Sequence, residues 1–336
     1  MQLTTAIERL CEATAAEGRS GRTVEGYKKT LRYLVEFLGD PEIETIDVAD
    51  LRRYAADLRT RSERYANNPY AATQEGGLSP FTVASYLRSV KRLFNWLLAE
   101  ELIAVNPAAR LKVPSPAKRE PKAMSLDDFD RLLAAVAGAD PTQIRDRAIL
   151  LFLADTGCRA GGLCHLRIKD VDLGRMAVKL TEKGEKTRII PFSEMTRNAL
   201  QAWLAVRPAV AESWMFVTMG PRVTSIRLTE EGLKEMLRRL KKRSGVAGHV
   251  NPHSFRHGFA REWIRNGGDI STLARVLGHS DPAVTARFYS VFSDQELVEF
   301  HQRYSPVSRM GSSPKSSSND QDVRKSYHDQ MIDQDQ

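Results

Sequence analysis

The chain has 336 residues, 42% of them hydrophobic, with 50 Lys and Arg against 42 Asp and Glu, a formal charge of +8 and a pI near 9.4. That length suits about two domains with their own cores, and the positive excess lies ahead of a last stretch, Pro306 to Gln336, with four basic and five acidic side chains, so a polyanionic partner is favoured. Three cysteines, Cys11, Cys158 and Cys164, lack disulfide-like spacing, which excludes a disulfide-stapled scaffold, and with no signal peptide and no long apolar run a soluble cytoplasmic chain is expected.

From Thr4 to Ala99, apolar residues recur at steps of three and four in TTAIERLCEATAA, RTVEGYKKTLRYLVEFLG, DVADLRRYAADLRTR and SPFTVASYLRSVKRLFNWLLAEE. Each is the pattern of a helix with one buried stripe. Four helices are the economical reading, with Asp47 and Ser79 as N-caps and Gly39 closing the second. Between the third and fourth, YANNPYAATQEGGL is polar and longer than a bundle turn needs, so an exposed loop is expected. NPAARLKVPSPAKREPKAM follows, with four prolines and five basic residues. Its lack of periodicity marks an extended linker, and the domain boundary is placed at 112–123.

Helicity resumes at Ser125, which forms a capping box with Asp128, and again from Pro141 to about Asp155, ending at TGCR. In LRIKDVDLGRMAVKLTEKGEKTRIIPF the period changes, and IKDVD, MAVKLTE and TRIIPF read as three short strands joined by Gly-bearing turns. This predicts a small antiparallel sheet inside a helical domain. Helices are expected again at 193–206, 229–243, 252–266 and 271–277, the third with Pro252 at its first position and Gly267 past its end. Two more are expected at 282–289, capped by Asp281, and at 293–304. Beyond Pro306 the chain is rich in Ser, Asp and Gln, and a disordered tail is expected.

His253 and Arg256, in HSFRH, lie three apart just inside a helix N-terminus. Both leave from one face near the positive end of the helix dipole, where an anion is well placed. Alone, HxxR is a weak signal, since most such pairs in a basic protein are a surface cap and a salt bridge. Arg159 follows an apolar helix in DTGCRAGGLCHL, and Lys183 sits at the hairpin tip in LTEKGEKTR. His279 follows Gly278 in LGHS, and Tyr289 comes ten residues later. Each has a bland reading as a helix end, a solvated turn or a packed ring. Cys158, Cys164 and His165 make a poor zinc set and read as buried structural thiols beside a histidine. GEKT, at Gly184, lacks the upstream glycine and the Gly-Lys pair of a phosphate-binding loop.

Taken together and in order, TGCRAGGLCHLRIKDVD, Lys183, HSFRH, LGHS and Tyr289 resemble the tyrosine recombinase (phage integrase) family over most of the chain. The resemblance implies a mainly α fold with a small antiparallel β-sheet. It divides the chain into a helical, SAM-like core-binding domain at 1–111, a linker at 112–123, a mixed α+β catalytic domain at 124–305 and a polar tail at 306–336. It further implies a site-specific DNA recombinase that cuts and rejoins strands through a 3′-phosphotyrosyl intermediate, in integration, excision or resolution of a mobile element or replicon. In that reading Arg159 and Arg256 clamp the scissile phosphate, Lys183, His253 and His279 complete the basic set, and Tyr289 is the nucleophile. The chemistry fits the residue types. Charge builds on the non-bridging oxygens, which guanidinium groups match with paired donors. A phenol with an ordinary pKa near 10 needs a base or cationic field, for which His253 is the best candidate. Lys183 would protonate the departing 5′ oxygen, and His279 would hold a phosphate oxygen.

One phosphodiester is exchanged for another, so no nucleotide, metal or other cofactor is expected. The implied partners are a double-stranded DNA recombination site and further copies of the chain, in a synaptic tetramer linked through the helix at 293–304. Lys28, Lys29, Arg52, Arg53, Lys91 and Arg92 would help the first domain clamp the duplex. Two departures stand out: Gly162 occupies a position where many members carry an acid, and nine residues after His279, the usual interval, lies Phe288, which has no nucleophilic atom. Competing readings are strand relaxation like that of type IB topoisomerases and a DNA-binding regulator of the same fold.

Overall fold

The computed structural model describes residues 1–64, 73–116, 122–181, 187–208, 213–219, 227–278, 298 and 301–303. They belong to two compact units, Met1–Arg119 and Glu120–Gln336. The expected helix at 282–289 with its cap Asp281, most of that at 293–304 and the whole tail from Pro306 lie outside the described residues.

The first unit has four main helices, α1 (Leu3–Ala16), α2 (Gly21–Leu38), α3 (Val48–Thr60) and α4 (Pro80–Ala99). Their apolar stripes meet in one core in which Leu10, Leu34, Tyr54, Leu87 and Phe94 are fully buried. The ends are fixed by local chemistry. Asp47 accepts from the Asp50 amide at 2.9 Å while Asp50 accepts from the Asp47 amide at 3.1 Å, so two otherwise orphaned donors are satisfied reciprocally. Ser79 accepts from the Thr82 amide at 3.1 Å, and Gly39 closes α2 in the left-handed region at φ 76°. The loop expected between α3 and α4 contains more order than its composition suggested. Glu63–Arg64 (β1) pairs antiparallel with Gln74–Glu75 (β2). Strands of two polar residues are too short to leave an alternating pattern.

The second unit is built on α6 (Pro141–Thr156). Ala148, Ile149, Leu150, Phe152 and Leu153 are fully buried along it, so apolar residues reach round most of the helix, as in an element packed on most of its sides. It packs against α8 (Glu194–Val206), α10 (Pro252–Arg265) and α5 (Leu126–Ala134). The Asp155 carboxylate accepts from the Ser193 amide and the Thr196 hydroxyl, both at 2.6 Å, tying the end of α6 to the start of α8. The three-stranded antiparallel sheet runs β3 (Val171–Asp172), β4 (Ala177–Thr181), β5 (Thr187–Pro191), with Leu180 opposite Arg188 and Val178 opposite Ile190. Of the expected strand IKDVD, residues Ile168–Asp170 form a 3-10 turn and only the last two pair. Further helices of this unit are the short α7 (Ala160–Cys164), α9 (Glu230–Ser244) and α11 (Ile270–Leu277). Ser125 caps α5 by accepting from the Asp128 amide at 3.1 Å, one half of the expected box.

A buried charge pair braces this unit. Arg145 donates to Asp146 through Nε at 2.9 Å and Nη2 at 2.6 Å, and through Nη1 to the Val217 carbonyl at 3.1 Å. Both residues are less than a tenth exposed. Burial pushes the Asp146 carboxyl up from its ordinary range while the Arg145 charge pulls it down. Removing one partner strands the other charge in a poorly solvated site. Arg145→Ala is therefore expected to cost about 3–5 kcal/mol of unfolding free energy. The double change Arg145→Met with Asp146→Leu, which leaves no orphan charge, should cost less than the single change. Urea unfolding of both variants checks the order.

Candidate active site

The second unit brings three helix ends to one corner. α6 ends on Gly157, held in the left-handed region at φ 56°. Arg159, two residues later, is the N-cap of α7 with extended backbone. α11 ends on Leu277, followed by Gly278 at φ 68°. The last carbonyls of a helix have no intrahelical donor and carry partial negative charge. Arg256, on α10, supplies the missing donors: Nη1 bonds the Gly157 carbonyl at 2.9 Å and Nη2 the Leu277 carbonyl at 2.7 Å. Arg256 is only 5% exposed. Both of these carbonyls are uncharged, and together they fix the orientation of the guanidinium.

Gly157 tolerates no side chain here. Besides its left-handed φ, a Cβ would press into the Phe259 ring and approach the Leu277 side chain. The close approach of α6, α10 and α11 thus rests on a glycine. Arg159 is partly exposed at this corner, and His253 stands exposed three residues before Arg256, on the same face of α10. Lys183, His279 and Tyr289 lie outside the described residues.

A third guanidinium belongs to the corner and was missed from the sequence. Arg188, on β5, donates through Nη1 to the same Leu277 carbonyl, at 2.6 Å. Burial depresses the Arg159 guanidinium, and the like charge of Arg188 adds to the effect. Arg188 is itself lowered by burial. Like charges gathered in a partly desolvated corner repel one another, so the corner is a place of concentrated positive charge. Only the pairing reveals Arg188: opposite Leu180, and two residues from buried Ile190, it lies on the inward face of its strand.

Two other neighbours follow the same logic. His257, partly buried one turn beyond His253, is held below the usual imidazole range by burial and by the charges of His253 and Arg256. Near α7, where Gly162 offers no carboxylate, α9 contributes one: the Glu230 carboxylate stands 3.4 Å from where a Cβ on Gly161 would sit. In the first unit, several basic residues expected at a DNA surface are engaged internally. Arg92 pairs with Glu17 at 3.1 Å, Arg53 pairs with Asp50, and Lys91 donates to the Leu111 carbonyl at 3.1 Å. Among the described residues no group of three His, Cys, Asp or Glu could hold a metal ion, and no helix is long and apolar enough to cross a membrane.

Comparisons with known proteins point the same way. The family model described as the phage integrase family matches residues 122–296. The chain is 30% identical to the tyrosine recombinase XerC of Alcanivorax borkumensis, over 87% of this chain and 91% of that protein. It is 27% identical to the tyrosine recombinase XerD of Listeria innocua, over 86% and 94%. Among solved structures it is similar in fold to the Tn1549 transposon integrase in complex with transposon right end DNA. The TM-score is 0.69 at 20% identity, covering 89% of this chain and 98% of that one.

The corner also predicts thiol behaviour. Cys158 and Cys164 are buried. Burial pushes Cys158 up to about 11, against the Thr156 hydrogen bond and the charges of Arg188 and Arg256, and pushes Cys164 up to about 12, with Glu230 adding to the rise. A thiol held protonated and out of solvent is a poor nucleophile. Native protein at pH 8 is therefore expected to react with a disulfide reagent at neither Cys158 nor Cys164, and at both once denatured. Mass mapping of the labelled positions reads the result.

Proposed function

The chain belongs to the phage integrase family of tyrosine recombinases, and from that membership we propose that it cuts and rejoins DNA at a specific site through a 3′-phosphotyrosyl intermediate. The observation that carries the reading is the Arg256 guanidinium, held by two helix-end carbonyls beside Arg159. It is a fixed positive site built before any anion arrives, and such preorganisation is the largest single contribution to stabilising developing charge. Arg159 and Arg256 clamp the non-bridging oxygens of the scissile phosphate. The Tyr289 hydroxyl attacks phosphorus, His253 accepting its proton. The bond from phosphorus to the 5′ oxygen breaks, Lys183 protonates that oxygen, and His279 holds a phosphate oxygen throughout. A 5′ hydroxyl of a second strand then attacks the phosphotyrosine and releases the phenol, so the number of phosphodiesters is conserved and no nucleotide is consumed.

The substrate is double-stranded DNA carrying a recombination site of a mobile element or replicon, bound jointly by a core-binding domain at 1–111 and a catalytic domain at 124–305 joined by the linker. Relatives named as recombinases across most of their length support this. Self-association into a tetramer through the helix at 293–304 belongs to the same proposal. Support comes from an apolar groove lined by Leu126, Phe129, Met195, Phe259 and Trp263, in which Leu126 and Met195 are 61% and 60% exposed. A second reading, a DNA-binding regulator with weakened chemistry, is favoured by Gly162, which is buried where many members carry an acid.

A nicked suicide substrate carrying the native site separates the two. Wild type is expected to form a covalent protein–DNA adduct, and binding without an adduct supports the regulator. Tyr289→Phe should abolish the adduct and spare binding; an adduct that survives refutes Tyr289 as nucleophile. Arg159→Ala is expected to slow adduct formation by about 10²–10³-fold or more, the cost of losing one preorganised donor.

Site affinity should fall steeply with salt, each neutralised phosphate contributing about 0.9 to the slope of log K against log salt. Titration by fluorescence anisotropy between low and moderate salt measures it, and a flat response contradicts phosphate clamping.

A further inference from the structure

We propose that Arg188 is a positioning residue of the cleavage site: from β5 it pins the end of α11 through the same carbonyl that Arg256 holds, locking hairpin, α10 and α11 into one arrangement. The inference rests on the recombinase reading for its catalytic consequence and on geometry alone for the lock.

A helix-end carbonyl is ordinarily satisfied by one donor, from water or a nearby basic side chain. Leu277 receives two, Arg188 Nη1 at 2.6 Å and Arg256 Nη2 at 2.7 Å. They come from residues 89 and 21 positions away in sequence. Both lone pairs of that oxygen are thereby used. A carbonyl claimed by two separate elements acts as a cross-link between them rather than as a helix cap. The repulsion between Arg159 and Arg188 opposes this gathering, so the hydrogen bonds hold it against an electrostatic cost.

Gly278 gives an independent observation. A Cβ placed there would overlap the Arg188 guanidinium, and the residue also sits at φ 68°. The guanidinium occupies the space over the turn, and only glycine leaves it room. Sheet pairing does not require any of this, because β4 and β5 pair through backbone from Ala177 to Thr181. The placement matters for what is attached on either side. Lys183 precedes Arg188 by five residues in sequence, and His279 directly follows Gly278. Arg188 therefore couples the segments that carry two of the proposed phosphate-handling residues to Arg256, without itself being assigned to the phosphate.

The test uses the full chain as wild type, Arg188→Ala, Arg188→Lys, Gly278→Ala and the double Arg188→Ala with Gly278→Ala. Hydrogen exchange of the peptide spanning 270–278, in free protein, is expected to speed up in Arg188→Ala while the N-terminal unit is unchanged. Adduct formation on the suicide substrate should fall by about 10²-fold, the scale of a misplacement near 1 Å, with site affinity unchanged. Arg188→Lys should recover part of the rate, because an ammonium can still donate to the Leu277 carbonyl. The double variant should be little slower than the slower single, since both changes break one lock. Unchanged exchange overturns the lock. An unchanged cleavage rate, or losses that multiply in the double variant, overturns the positioning role. If wild type forms no adduct, the recombinase reading falls, and exchange at 270–278 still decides the lock.

Discussion

The second unit depends on one side chain making two hydrogen bonds. Arg256 joins the Gly157 and Leu277 carbonyls, and in doing so brings together the ends of α6 and α11 around the start of α10. A buried arginine is costly unless its donors are satisfied. Here the satisfaction comes from two helix C-termini, whose partial negative charge favours a cation. The arrangement turns a folding requirement into a chemical asset. Helix ends that need donors fix a guanidinium, and under the proposed function a guanidinium so fixed would need no reorientation to meet a phosphate.

Much of this was legible in the sequence because the signals were local. Asp47, Ser79, Ser193 and Pro252 mark helix starts through short-range chemistry of their own side chains, and each stands where the sequence placed it. The family resemblance rested on residues in order along the chain, and Arg159, His253 and Arg256 fall at or beside the corner described above. Family membership followed from the comparisons.

What the sequence hid was long-range or too short to be periodic. Arg188 reads as one more basic residue in TRIIP, because which of its neighbours faces inward depends on the pairing of Leu180 with Arg188. Ile189 is 73% exposed while Ile190 is buried, an assignment that the two adjacent isoleucines leave open. The pairing of β1 with β2 and the turn at Ile168–Asp170 were invisible for want of length. Glu230 beside α7 is a tertiary coincidence of two distant segments, beyond any spacing rule.

The burial of α6 through its central turns reaches past packing. Elements buried over most of their length exchange with solvent chiefly when the domain opens, whereas peripheral helices fray alone. Since the Gly157 carbonyl that anchors Arg256 terminates this helix, that half of the corner is tied to a largely buried element of its unit. Heating would leave its anchor in register until the domain melts as a whole, and a more heat-resistant version of this protein would gain little from stiffening that joint.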